Sequence, residues 1–126
     1  MENDALSAAA KPLILPEIVT LPREIDTNNA QRICDELHTA LRPGVAVVIA
    51  DMTDTAFLDS SGIRCLLLAN RHAVQANAEL RLIIKSAAVL RILQLVGADC
   101  LLKVYPNLLA ALADPPAEAQ ETSGDG

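Results

Sequence analysis

The chain has 126 residues, of which 52% are hydrophobic and only 2% aromatic, and it carries 10 basic against 16 acidic residues for a formal net charge of −6. That length fits one compact domain with an aliphatic core. The acidic balance and the scarcity of rings argue against general binding to nucleic acid or an anionic membrane, which draw on basic faces and stacking platforms.

No stretch approaches the roughly 20 uninterrupted apolar residues needed to span a bilayer. The acidic start Met1-Glu2-Asn3-Asp4 lacks the positive region of a secretory signal. Three widely spaced cysteines, Cys34, Cys65 and Cys100, form an odd set that suits a reducing cytosol. A cytoplasmic location and buried free thiols are expected, with a redox bridge between two of them as the alternative.

Residues 1–11 read as a flexible N-terminal arm, 12–113 as the domain, and 114–126, which lack Leu, Ile, Val and Phe, as a disordered C-terminal tail. Leu13 to Leu21 has strand composition interrupted by Pro16, which points to an edge strand or to two short strands with a bend. Asp26-Thr27-Asn28-Asn29 supplies cap candidates for a helix with Ala30, Ile33, Leu37, Ala40 and Leu41 on its inner face. Arg42-Pro43-Gly44 ends it. Val45 to Ala50 is a continuous β-prone run, as in a strand covered on both faces. A polar loop, Asp51 to Thr55, follows.

Ile63, Leu66, Leu67 and Val74 mark the inner face of a second helix. Leu80 to Ile84 is another buried strand. Ser86 can cap a third helix carrying Val89, Leu90, Leu93 and Val96, closed by Gly97. Leu101 to Tyr105 is a short strand, and Pro106-Asn107 opens a last helix through Leu112. The order β-β-α-β-α-β-α-β-α requires crossover connections. The expected fold class is therefore α/β, a single domain with a mixed, mostly parallel sheet of about five strands and about four helices. Functional loops in such sheets gather at the carboxyl ends of strands.

The loop after Ile49 lies at such an end and leads into Phe57-Leu58-Asp59-Ser60-Ser61-Gly62. Phe57 and Leu58 are expected to pin the loop to the core. Asp59 or Ser60 can accept hydrogen bonds from the first amides of the next helix. A hydroxyl there is accessible, and a phosphate on it would add about −1.5 to −2 charge beside Asp51, Asp54 and Asp59. Local chemistry alone favours a plain helix cap over a switch.

These residues resemble the signature of STAS domains, in particular bacterial anti-sigma factor antagonists. The resemblance runs through Val47-Val48-Ile49, Asp51-Met52-Thr53, Phe57 to Gly62 and Leu66-Leu67, and includes Glu24-Ile25-Asp26 before the first helix. Leu80-Arg81-Leu82-Ile83, Val89 to Leu93 and Tyr105-Pro106 follow in the family's order, so that roughly residues 12–113 are covered. The resemblance implies a partner switch. The unmodified antagonist binds an anti-sigma factor that is a serine kinase and thereby releases a sigma factor; phosphorylation ends this, and a phosphatase restores it. It implies Ser60 as the phosphate acceptor, with Asp26, Asp51, Thr53, Asp54, Asp59, Ser61 and Gly62 at the partner-binding surface. Arg23 departs from the pattern, standing where the family has Gly before Glu-Ile-Asp. The alternative is a STAS interaction module with another client, such as a transport accessory subunit, a scaffold or a redox-regulated antagonist.

Neither enzyme chemistry nor a cofactor is expected. His38 and His72 lie on separate helices without ligand-like spacing to a cysteine, so no metal centre is expected. There is no Gly-x-Ser-x-Gly elbow and, with five scattered glycines, no phosphate-cradling loop. Arg64, Arg71, Arg81 and Arg91 read as solvated side chains. A homodimer through an exposed edge or aliphatic patch is compatible with the pattern.

Overall fold

The computed structural model describes residues 15–116. The expected N-terminal arm and the tail beyond residue 116 lie outside the described residues. The elements run β1 (Glu17–Thr20), β2 (Glu24–Ile25), α1 (Ala30–Ala40), β3 (Val47–Met52), β4 (Phe57–Leu58) and α2 (Ser60–Gln75), followed by β5 (Glu79–Ile84), α3 (Ala87–Leu95), a 3-10 turn (Ala98–Cys100), β6 (Lys103–Tyr105) and α4 (Leu108–Ala113). The strands form a four-stranded sheet in the order β1-β3-β5-β6 and a separate two-stranded ladder of β2 and β4. Every pairing among the described residues is parallel.

The expected single sheet of about five strands is thus two ladders. Strands as short as Glu24–Ile25 and Phe57–Leu58 are too brief to show an alternating pattern, and only their mutual pairing defines them. Pro16 precedes β1, which forms the sheet edge as expected. β3 begins and ends two residues later than the apolar run suggests, because Asp51 and Met52 still pair with Ile83 and Ile84.

One face of the sheet carries the main core. Val48, Ala50, Met52, Leu80, Leu82 and Ile84 meet Ile33 and Leu37 of α1, Leu66 and Ala69 of α2, and Val89 and Leu93 of α3. The expected inner faces of these helices hold except at their last turns. Val74 and Val96 are 65% and 59% exposed, since α2 and α3 end there and nothing lies beneath them. Gly97 adopts φ +79°, the left-handed conformation that ends a helix without strain.

The opposite face is smaller and contains the clearest departure from expectation. Val47, Ile49 and Ile83 pack against Ala111 of α4, and Arg81 is buried among them at 2% exposure rather than solvated. The last turn of α4 and the residues after it lie over this face and shut its guanidinium off from water. Glu79, on the same face, accepts from Nε at 3.1 Å and Nη2 at 2.9 Å. Nη1 donates to the carbonyls of Ala111 (2.6 Å) and Asp114 (2.7 Å), and Nη2 to that of Pro115 (3.2 Å). Lys103 Nζ lies 3.2 Å from the same Glu79 oxygen. Arg81 therefore holds the last turn of α4 onto the sheet, capping carbonyls that the helix leaves open. Tyr105, whose ring the guanidinium faces at 5.6 Å, donates to the Asp114 carboxylate at 2.5 Å. Burial and that hydrogen bond push its hydroxyl up to about 12.

Candidate functional site

The parallel pairing of β2 with β4 brings two loops to one end of the molecule. Its register sets Ile25 beside Leu58, so Asp26 and Asp59 leave their strands side by side. The Asp59 amide donates to the Ile25 carbonyl at 3.1 Å. Beyond Ile25 the chain turns into α1 through side-chain bonds. Asn29 Oδ1 accepts from the Asp26 amide at 2.9 Å, Asn29 Nδ2 donates to the Glu24 carbonyl at 2.8 Å, and Asp26 Oδ1 accepts from the Asn28 amide at 2.9 Å. Arg23 causes no strain: Asn77 is the one non-glycine residue with positive φ among the described residues. The turn therefore forms without the family's glycine.

Beyond Leu58 the chain enters α2, with Asp59 as N-cap. One carboxylate oxygen accepts from the amides of Ser61 (2.9 Å) and Gly62 (3.2 Å) and from the Ser61 hydroxyl (2.6 Å). The Ser61 hydroxyl, with further bonds from the amides of Gly62, Ser61 and Thr27, holds the Asp59 carboxyl below its ordinary value against the opposing effect of desolvation. Ser60 occupies the first helical position and is exposed. Its hydroxyl makes no hydrogen bond among the described residues, in contrast to that of Ser61.

Gly62 makes this close approach feasible. A Cβ there would lie 2.4 Å from Leu58 Cδ1 and 2.9 Å from Ile25 Cγ2. The first turn of α2 therefore rests directly on both strands of the small ladder. Phe57, expected to pin the loop with Leu58, is 48% exposed; the alternation of side chains along β4 turns it outward and leaves Leu58 alone in the core.

The third contributor is the end of β3. Asp51 Oδ1 accepts from the amide of Thr53 at 3.0 Å and from its hydroxyl, closing a tight turn. Thr53 and Asp54 are exposed. Thr55, which the motif alone does not single out, is buried and anchors this loop: its hydroxyl donates to the Pro22 carbonyl at 2.8 Å and its amide to that of Met52 at 3.0 Å. The Ala56 amide donates to the Arg23 carbonyl at 2.8 Å. A small polar side chain directly after Asp54 is the only sequence signal for the role of Thr55. Asp26, Asp59, Ser60, Ser61 and Gly62 are thus built into one structure. Asp51, Thr53 and Asp54 sit on the adjoining loop, with no side-chain hydrogen bond between the two groups among the described residues.

The surface is acidic and carries one unengaged serine at the start of a 16-residue helix. No group of three or more His, Cys, Asp or Glu side chains placed to hold a metal ion occurs among the described residues. No helix among them is long and apolar enough to cross a membrane. Of the thiols, Cys34 and Cys65 are buried as expected, whereas Cys100 is exposed, because the 3-10 turn carries it to the surface.

The family model described as the STAS domain matches residues 8–111. No curated protein matches the chain. Among solved structures, an anti-sigma factor antagonist from Mycobacterium paratuberculosis is similar with a TM-score of 0.68 at 22% identity, over 79% of this chain and 86% of that one. The murine anion transporter Slc26a9 in its inward-facing state is similar with a TM-score of 0.65 at 19% identity, over 76% of this chain but 17% of the transporter. The unphosphorylated anti-sigma factor antagonist SpoIIAA is similar with a TM-score of 0.56 at 18% identity, over 91% of this chain and 96% of that one.

Proposed function

From the premise that the chain belongs to the STAS domain family, we propose that it is an anti-sigma factor antagonist switched by phosphorylation of Ser60. In its unmodified form it binds an anti-sigma factor with serine kinase activity, and a sigma factor is released. Asp26, Asp51, Thr53, Asp54, Asp59, Ser61 and Gly62 form or shape the docking surface around the acceptor. The protein acts as an interaction module and as a kinase's substrate rather than as an enzyme, and it works in the cytoplasm.

The observation that carries this reading is the contrast between two adjacent serines. The Ser61 hydroxyl is bound to Asp59, while that of Ser60 is exposed and free of such a bond. In the transfer step, the Ser60 oxygen forms a bond to the γ-phosphorus of ATP as the bond to ADP breaks, and the hydroxyl proton departs to a base on the kinase. The product carries about −1.5 to −2 charge at neutral pH. Next to Asp26 and Asp59 this raises an already negative surface, and a partner seated there meets repulsion and an added desolvation cost. A phosphatase that hydrolyses the ester resets the switch. Similarity over most of its length to two antagonist structures supports the same reading.

The test is affinity capture from native extract with phosphosite mapping of the bait. Recovery of a serine kinase by unmodified protein, with one phosphate at Ser60, is the expected result. Equal capture by wild type and Ser60→Asp, or phosphate elsewhere, overturns the mechanism. The similarity to a transporter's domain favours a second reading, a transport accessory module. Capture of transporter subunits without a kinase is its signature.

A further inference from the structure

Outside the Ser60 surface, the two histidines of the chain meet each other. His38 stands in the last turn of α1 and His72 in the last turn of α2. Although 34 residues apart, their Nδ1 atoms are 3.1 Å from one another. The rings meet edge to face, with centroids 4.6 Å apart and planes at 72°. Sequence spacing gave no hint of this, because the pairing depends on how two parallel-running helices pack side by side.

From this geometry we infer that His38 and His72 form a binding site for a borderline divalent transition-metal ion such as Zn²⁺, Ni²⁺ or Cu²⁺, which bridges the carboxyl ends of α1 and α2. Imidazole nitrogen is the donor these ions favour, whereas Mg²⁺ and Ca²⁺ prefer oxygen. Two nitrogens each ~2.0–2.1 Å from tetrahedral zinc lie about 3.4 Å apart, a few tenths of an ångström wider than the present pair, so the ion is accommodated once both rings turn their Nδ1 lone pairs onto a common point beside the line between them. His38 is exposed and His72 half-buried, which leaves an entry path and room for water to complete the coordination.

The electrostatics favour a cation. Both imidazoles sit where the open carbonyls of a helix end concentrate negative potential. Arg42, the nearest basic residue after His38, is engaged by Glu17 at 2.6 Å. Without metal the short contact is an Nδ1–H to Nδ1 hydrogen bond, so one ring carries its proton on Nδ1. Binding requires that proton to move to Nε2 of the same ring, which exchange with water accomplishes with no net proton release and no change in oxidation state. Two protein ligands make an open site, unlike the closed four-ligand centres that hold structural zinc. The ion would staple α1 to α2 at the ends remote from Asp26 and Asp59, and the inference is independent of the switch at Ser60.

The full chain carrying Cys100→Ser, which removes the exposed competing thiol, is titrated with zinc chloride and followed by ¹⁵N spectra of the imidazoles. Because the chain contains two histidines, every such signal reports on this pair. The expected result is a saturable shift of both Nδ1 resonances complete near one equivalent, with a rise in Tm that His38→Gln and His72→Gln each abolish. A shift of one ring alone, no saturation at a large excess of zinc, or an undiminished Tm rise in either variant overturns the inference.

Discussion

The Asp59 carboxylate holds the Ser61 hydroxyl at 2.6 Å, together with the Ser61 and Gly62 amides, and this bond distinguishes two otherwise equivalent serines. Ser61 is spent on the cap, whereas Ser60 faces outward one residue earlier. With a cognate serine kinase and ATP, Ser60→Ala is expected to abolish phosphate incorporation, while Ser61→Ala retains it and lowers Tm. Intact-mass measurement of both variants checks this; incorporation into Ser60→Ala equal to wild type contradicts it.

The lowered Asp59 carboxyl makes part of the stability depend on acid. A group held below its ordinary value of 3.8 in the folded state contributes fully above that value, and its contribution disappears as pH falls through the lowered folded value. Asp59→Asn is expected to lower the urea midpoint at neutral pH, with the gap to wild type closing in strong acid. A gap that stays constant across this range excludes the carboxylate as its origin.

Gly62→Ala sets helix propensity against packing. Alanine is the better helix former, yet its Cβ meets Leu58 Cδ1 at 2.4 Å and Ile25 Cγ2 at 2.9 Å. Both side chains are buried in the core, and the branched Ile25 gives way poorly. A net loss of about 1–3 kcal/mol, the usual cost of overpacking, is expected in urea denaturation. A gain in stability would mean that the first turn of α2 lifts freely from the ladder.

Arg81→Met removes five donated hydrogen bonds, two of them to Glu79 and three to carbonyls at the end of α4. Lys103 remains beside Glu79, so the loss is expected at about 3 kcal/mol, the lower end for breaking a buried ion pair. Hydrogen exchange should accelerate most in residues 108–115. Uniform acceleration across the sheet would deny Arg81 its local role. Arg81→Lys is expected to rescue little, since an ammonium cannot reach all these acceptors at once.

Thiol reactivity is expected to separate the cysteines. Burial, with neighbouring Cys34 and Asp35 adding to it, pushes the Cys65 thiol up to about 12, and Cys34 is buried as well. Cys100 is therefore expected to be labelled rapidly by a disulfide reagent at neutral pH, the other two only on unfolding. Rapid labelling of two or three thiols in the folded protein refutes the assignment.

The parts of the fold legible in the sequence are those written as long patterns. The runs at Val47 to Ala50 and Leu80 to Ile84, the 3.6-residue spacing in α1 and α3, and the cap residues Asp59, Ser86 and Asn107 are all used as their chemistry suggests. What escaped depends on partners distant in sequence. Arg81 resembles a surface charge until Ala111, Asp114 and Pro115 come over it. The β2–β4 ladder exists only as a pairing, and so does the contact of His38 with His72. At the site, the motif singled out Asp59 to Gly62, but the supporting bonds of Asn29 and Thr55 run to backbone amides and carbonyls, which no side-chain motif can encode.

The Arg81 clamp also bears on the order in which a newly made chain matures. Its carbonyl acceptors lie 30, 33 and 34 residues downstream. A ribosome that has just passed β6 has therefore delivered Glu79 and Lys103 but none of those three groups. At ~5–20 residues per second, the interval between Arg81 and Pro115 is roughly two to seven seconds of translation, so the elements of the main core always precede those that cover the opposite face. Seating residues 108–115 is therefore the last step among the described elements, and until it occurs the face carrying Val47, Ile49 and Ile83 lacks its cover.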